Sequence, residues 1–209
     1  MCLPLQILSY LCALIKKINT QKYFAMKNIL FIVGSLRQQS FNRQLAAVAE
    51  KILSNQFNIK YLDFEEVPFM NQDLESVAPA PIVRVRKEVL AADGIWIFTP
   101  EYNYSYPGLL KNLLDWLSRP MDISDYTNPS AVVGKKVTVS GAGGGNQTAS
   151  CRSKLNELLE FMKMQVLTES QTGIALGVEA WTKGEFNLTD EQTAQLKTQA
   201  DRFAAFVNE

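Results

Sequence analysis

Short apolar runs alternate with segments of helical periodicity from Met26 to the end of the chain. Each run is the length of a strand, and each helical segment is long enough to cross a sheet. This alternation is typical of βαβ units around a parallel sheet. It predicts an α/β fold whose five strands are 29–33, 58–62, 94–98, 136–139 and 165–169.

Amphipathic segments lie between the predicted strands. Leu45, Ala49 and Ile52 recur at helical spacing and leave Arg43 and Lys51 for solvent. The predicted helices are 42–53, 82–92, 107–117, 147–162 and one that begins at Thr189. Proline-containing loops are predicted over 63–81 and 118–134.

Composition limits the chemistry that side chains alone can perform. The chain has 209 residues, of which 47% are hydrophobic, and this fits one globular domain over residues 26–209. It contains no histidine, which excludes Ser-His-Asp and Cys-His catalysis and most zinc sites. The three cysteines are too scattered for a disulfide framework or an iron-sulfur cluster. We therefore expect no catalytic side chain, no metal and a reducing, cytoplasmic location.

Residues 1–25 depart from the pattern of the rest of the chain. The segment from Cys2 to Ile15 is largely apolar, and Lys16 and Lys17 follow it. It lacks the basic start of a signal peptide and is too short to span a bilayer, so no stable membrane insertion is expected. The alternatives are an upstream mis-assigned start, a packing arm or an interfacial helix, and the interpretation we favour is a dispensable extension.

Charge gives no reason to expect a nucleic-acid partner. The 21 basic residues balance the 21 acidic ones, and no basic stripe alternates with aromatic residues. Any phosphate-binding site is therefore expected to be local.

The segment Gly34–Asn42, which follows the first predicted strand, suits a phosphate. Gly34 permits a tight turn, after which the backbone amides and the start of a helix can face an anion. Arg37 adds a charged donor, and Ser35 and Ser40 add hydroxyls. The alternative is structural: Ser40 or Asn42 caps the helix and Arg37 is a solvated loop residue.

A polar, aromatic loop follows the third predicted strand. It runs from Thr99 to Tyr106, and Pro100 and Pro107 restrict its conformations. Glu101, Asn103 and the backbone between them offer donors and acceptors to a ring edge. With the phosphate segment, this loop suggests a phosphorylated ring ligand such as FMN.

A glycine-rich segment, 140–145, follows the fourth predicted strand and is expected to be a turn. It either lets the backbone approach a ligand or is a flexible turn. The dinucleotide pattern GxGxxG fails there because Asn146 takes its third glycine position, and the P-loop pattern is absent after the first strand. In a sheet of order 2-1-3-4-5, strands 1, 3 and 4 are adjacent, so the three loops share one crevice.

Two motifs make the chain resemble the NADPH-dependent FMN reductase family, which includes quinone, azo-dye and chromate reductases. Gly34-Ser35-Leu36-Arg37-x-x-Ser40-x-Asn42 matches the family's phosphate loop, and residues 100–116 match its flavin loop and the following helix. The resemblance runs from Met26 to the C-terminus. It implies a flavodoxin-like three-layer sandwich with a five-stranded parallel sheet.

The resemblance also implies which residues hold the cofactor. It places Ser35, Arg37, Ser40 and Asn42 at the FMN phosphate. The residues that it places along the isoalloxazine ring are Pro100, Glu101, Tyr102, Asn103, Tyr104, Ser140, Gly141, Ala142, Gly143 and Gly144. It further implies a homodimer or homotetramer through the Pro107–Leu117 helix, although Leu113 stands where a small residue is usual.

The implied activity is hydride transfer from NADPH or NADH through FMN to a small electron acceptor, such as a quinone, an azo compound, chromate or free flavin. Bound FMN would carry the chemistry, and amides of the glycine-rich turn would donate to it. Lys111, Asn112 and Asp115 are expected to cap, bridge or solvate one face of their helix. Tyr102, Tyr104 and Tyr106 form either a stacking wall or interface packing. The alternatives are a non-enzymatic flavodoxin-type electron carrier and an FMN-binding regulator.

Overall fold

The computed structural model of the protein describes residues 26–125, 127–184 and 186–209. The expectations for residues 1–25 lie outside this part of the chain. The strands are β1 (Asn28–Val33), β2 (Asn58–Tyr61), β3 (Gly94–Phe98), β4 (Lys136–Gly143), β5 (Gln165–Leu167) and β6 (Gly173–Ala175). The helices are α1 (Phe41–Leu53), α2 (Ala80–Ala91), α3 (Gly108–Leu117), α4 (Ala149–Phe161), α5 (Val178–Lys183) and α6 (Asp190–Asn208).

The strands form one parallel sheet in the order β2-β1-β3-β4-β5, which confirms the predicted flavodoxin-like topology. β6 is a sixth strand that the sequence analysis did not predict. It pairs with the second half of β4, from Gly141 to Gly143, while β5 pairs with the first half. Two short strands therefore share the position next to β4.

Helices cover both faces of the sheet and make three layers. α2, α3 and α4 pack on one face, and α1 and α6 pack on the other. β3 is buried along its whole length, as expected of a central parallel strand covered on both sides. Trp96 and Phe98 point into the α1/α6 layer, and Ile95 and Ile97 point into the opposite one.

The predicted turn at 140–145 is wrong for its first four residues. β4 continues to Gly143, because Gly141 to Gly143 find a second partner in β6. The turn begins at Gly144 and leads into α4 through Gln147 and Thr148, both with positive φ. The glycines at 141 and 143 are therefore strand residues.

Smaller differences concern the helix ends. Pro107 is the N-cap of α3, so this helix begins at Gly108, one residue after the predicted start, and α4 begins at Ala149. The predicted loop 63–81 contains one 3₁₀ turn, Gln72–Leu74, and α5 is a short helix that was not predicted. No helix in the described ranges is long and apolar enough to cross a membrane.

Candidate functional site

Three loops lie side by side at the carboxyl edge of the sheet, as predicted. They follow β1, β3 and β4, and backbone bonds tie their first residues together. The Gly34 amide donates to the Phe98 carbonyl at 2.8 Å, and the Thr99 amide donates to the Ser140 carbonyl at 2.9 Å. This arrangement gives one continuous edge at which a single ligand can touch all three segments.

The loop after β1 presents backbone donors. Within the described residues, the amides of residues 35–40 have no backbone acceptor. The Ser40 hydroxyl is the N-cap of α1 and accepts from the Arg43 amide at 3.3 Å. The capping alternative therefore holds for Ser40, and the free amides before it remain available to an anion.

Arg37 and Asn42 behave differently from each other. The Arg37 guanidinium is exposed and lies 4.8 Å from the centre of the Phe41 ring, so it stays near the loop. Asn42 is 3% exposed, and its side chain is committed to Ala142 of β4. Its Nδ2 donates to the Ala142 carbonyl at 3.1 Å, and its Oδ1 accepts from the Ala142 amide at 2.8 Å. This side chain fastens α1 to β4.

The loop after β3 carries a tight turn at its tip. Tyr102 and Ser105 bond each other through both amides, and the two residues between them, Asn103 and Tyr104, have φ of 51° and 60°. Two consecutive positive φ values are typical of a type I′ turn, which is unusual for a tyrosine. The strained turn holds the Tyr102 and Tyr104 rings outward, at 55% and 69% exposure.

Glu101 joins this loop to the other side of the site. One carboxylate oxygen accepts from the Cys151 amide in the first turn of α4 at 2.8 Å. The other accepts from the Asn146 side chain at 2.6 Å. The carboxylate therefore caps α4 from a distant loop, and the helix dipole favours its charge there. This clamp was not visible in the sequence.

We expect Glu101→Ala to lower the free energy of unfolding by about 2 kcal/mol, since two bonds to a charged group are lost. Urea titration measures the change. Glu66→Ala, at an exposed carboxylate, is the control and should change little. Equal stability of the two variants would show that the clamp does not hold the loop.

The glycines of the third segment fall into two pairs. A Cβ at Gly141 would collide with Thr148 and the Thr99 carbonyl, and one at Gly143 would collide with Thr148. A Cβ at Gly144 or Gly145 would meet nothing within 4 Å. The first pair serves packing and the second pair faces open space.

The backbone donors of this segment follow the same division. The Gly141 amide donates to the Thr172 carbonyl at 3.0 Å, and the Ala142 amide is bound by Asn42. The expectation that these two amides serve a ligand is therefore wrong. In the described chain, the amides of Gly144 and Gly145 have no backbone acceptor.

Ser140 lies in the core, and a residue that the sequence analysis missed holds it there. Ser140 is fully buried, and its hydroxyl donates to the Gln199 side chain of α6 at 2.7 Å. Gln199 also accepts from the Thr172 amide and donates to Thr138 and Val139. It fixes β4 against the segment before β6, a role that no local pattern in α6 indicates.

The one free cysteine of the described chain, Cys151, has a structural role. Its thiol is buried beneath the loop after β3 and donates to the Pro100 carbonyl at 3.5 Å. Burial raises the pKa of Cys151 to about 11. The thiol is therefore protonated at neutral pH and is not a nucleophile.

The donors at this edge fit FMN. Free amides, two hydroxyls and the Arg37 guanidinium lie after β1 and suit a phosphate. Open backbone at Gly144 and Gly145 suits a flat ring. Fold and edge together define a flavodoxin-like protein with a mononucleotide site.

Comparison with known proteins places the chain within this class. The sequence model for NADPH-dependent FMN reductases matches residues 27–179. A 2-hydroxy-1,4-benzoquinone reductase of Burkholderia sp is 33% identical over 183 residues, which is 87% of this chain and 96% of that protein. A quinone reductase of Pseudomonas putida is 30% identical, and the match covers 86% of this chain and 94% of that protein. The chain belongs to the NADPH-dependent FMN reductase family.

Solved structures agree with this assignment. FerB of Paracoccus denitrificans, a flavoenzyme NAD(P)H:(acceptor) oxidoreductase, is 30% identical to this chain, with a TM-score of 0.76. The match covers 87% of this chain and 97% of the FerB chain. An archaeal flavodoxin, at 13% identity and a TM-score of 0.55, supports the fold alone. The expected enzyme class, the FMN cofactor and the nicotinamide co-substrate are those of the family, and these expectations are confirmed.

Proposed function

We propose that this protein transfers hydride from NAD(P)H through bound FMN to a small quinone. The observation that carries the proposal is the adjacency of the three loops at one open edge. In the first and third loops, amides have no backbone acceptor among the described residues. The quinone is favoured over azo compounds, chromate or free flavin because relatives from Burkholderia and Pseudomonas are named for quinone reduction.

The residues of the chain hold the cofactor and leave the chemistry to it. Bound FMN supplies the hydride and electron transfer. The amides of residues 35–40, with Ser35 and Arg37, hold the phosphate. The amides of Gly144 and Gly145 are preorganised donors toward a ring that becomes more negative on reduction. We also propose that the flavin ring contacts Pro100 to Tyr104 and Gly143.

We assign no catalytic acid or base among the described residues near this edge. Cys151 is protonated and buried, and both Glu101 oxygens accept bonds within the protein. Lys111 pairs with Asp115 at 2.6 Å, and Asn112 binds the backbone at Pro68 and Met70. These contacts support a bridging role for the three residues. The protein therefore contributes binding and orientation.

Assembly into a homodimer or homotetramer through α3 is also part of the proposal. Leu113 is not part of this proposed interface, because its side chain is fully buried in its own subunit's core. The outward face of α3 instead carries Leu109 and the Lys111–Asp115 pair, half exposed. Light scattering coupled to size exclusion gives the mass, and a monomeric mass would contradict this assembly.

The decisive experiment is an acceptor screen on purified yellow protein with NADPH and with NADH. We expect rapid oxidation of one nucleotide with a benzoquinone present and slow oxidation without it. Flavin binding without turnover on either nucleotide would favour the carrier or regulator alternative. A colourless protein that refuses added FMN would contradict the cofactor site itself.

We expect Arg37→Ala to weaken FMN binding roughly tenfold to a hundredfold, because a charge-assisted contact with the phosphate is lost. Flavin fluorescence during dilution measures the release. Lys51→Ala, at an exposed cation in the last turn of α1, is the control. Unchanged retention in Arg37→Ala would place the phosphate elsewhere.

A further inference from the structure

An exposed tryptophan lies beside the loop after β1. Trp181 of α5 is 62% exposed, whereas Trp96 and Trp116 are fully buried. Its ring and the Phe41 ring form a T-shaped pair, with a centroid distance of 6.0 Å and an interplanar angle of 75°. Phe41 is the first residue of α1, so Trp181 is one aromatic contact away from the proposed phosphate site.

α5 is held at this edge by its neighbours in the chain. β6, which pairs with Gly141 to Gly143, leads into α5, and Ala180 packs in the same buried cluster as Phe41. After α5, a Cβ on Gly184 would lie 3.2 Å from the Gln39 side chain in the loop after β1. The exposed ring is therefore fixed beside the site.

The surroundings of Trp181 suit a flat, anionic ligand. The Arg37 guanidinium stacks on the Phe41 ring that Trp181 contacts. An exposed aromatic ring near a cation suits a nucleobase that carries phosphates.

The NAD(P)H co-substrate has two ring systems separated by a pyrophosphate. Its nicotinamide must reach the flavin ring, between the loop after β3 and the open glycines Gly144 and Gly145. Trp181 lies on the other side of the site, beside the loop after β1. The end of the co-substrate that can reach Trp181 is therefore the adenosine.

We infer that Trp181 stacks against the adenine of NAD(P)H. This subsite rests on the proposed function, because it assumes a nicotinamide co-substrate.

Tryptophan fluorescence reports on this site directly. Trp181 is the one solvent-exposed tryptophan of the three, so a ligand that stacks on it should quench the exposed emission. ADP is the probe, because it has the adenine and pyrophosphate and cannot react. ADP should quench the wild-type holoenzyme and should not quench Trp181→Ala.

Steady-state kinetics give a second measurement. Trp181→Ala should raise the KM for the reduced nucleotide roughly tenfold, as expected for one lost base-stacking contact, with kcat and the quinone KM unchanged. Trp181→Phe should recover most of the loss. Val178→Ala, at an exposed apolar residue of the same helix, is the control and should behave as wild type.

The following results would each contradict the adenine subsite. Absence of ADP quenching, or a nucleotide KM in Trp181→Ala within twofold of wild type, excludes adenine stacking. Quenching by FMN added to flavin-free protein, without quenching by ADP, assigns the ring to the flavin. A lower oligomer mass in Trp181→Ala assigns it to a second copy. If the wild type oxidises neither nucleotide, the proposed function fails, and the ADP measurement still decides the subsite.

Discussion

Gly141→Ala should lower the free energy of unfolding by about 3 kcal/mol, because the new methyl group would overlap fixed atoms. The neighbours are the Thr148 side chain and the Thr99 carbonyl. Thr148 is fully buried with a left-handed backbone, and the Thr99 amide is bonded into β4, so neither can move aside cheaply. Equilibrium urea unfolding of the flavin-free protein measures the loss.

Gly144→Ala is the matched variant, three residues along the same segment. Its Cβ would meet no atom of the protein, so its stability should match wild type within about 0.5 kcal/mol. FMN binding should nevertheless weaken, because the methyl group occupies space that we assign to the ring. Similar stability losses in both variants would contradict the division of the glycines into packing and ligand-facing pairs.

The strands that the sequence predicted are those with continuous apolar runs. β1 and β3 are buried on both sides, and such burial requires uninterrupted hydrophobic residues that can be read without a structure. β6 escaped prediction because Gly173–Ala175 is three residues long and contains a glycine and an alanine. Its existence depends on pairing with β4, which is a tertiary effect.

The location of the site was predictable because it follows from topology. Strand order and the polar loops after β1, β3 and β4 place the segments together, and the structure confirms their adjacency. The partners of individual side chains were not predictable. The Glu101 carboxylate reaches α4 across 50 positions of the chain, and residue type alone does not reveal such a contact.

The partner of Asn42 was not predictable for the same reason. Its position in the phosphate motif predicts either a ligand contact or a helix cap. The structure instead joins it to Ala142, 100 positions away, through both its donor and its acceptor. An asparagine satisfies a strand residue's amide and carbonyl together, so the residue type suits this bridge as well as it suits a phosphate.

Asn42→Asp should therefore destabilise the flavin-free protein by about 3 kcal/mol, because a buried carboxylate cannot donate to the Ala142 carbonyl and is costly to desolvate. Added FMN should stabilise wild type and variant by similar amounts, so the difference between them should remain. Asn55→Asp, at an exposed position after α1, should change stability little. A variant with wild-type stability and weakened FMN binding would instead make Asn42 a phosphate ligand. We expect the stability loss because the bridge to Ala142 holds α1 against β4. The N-terminus of α1 faces the phosphate site, and β4 leads to Gly144.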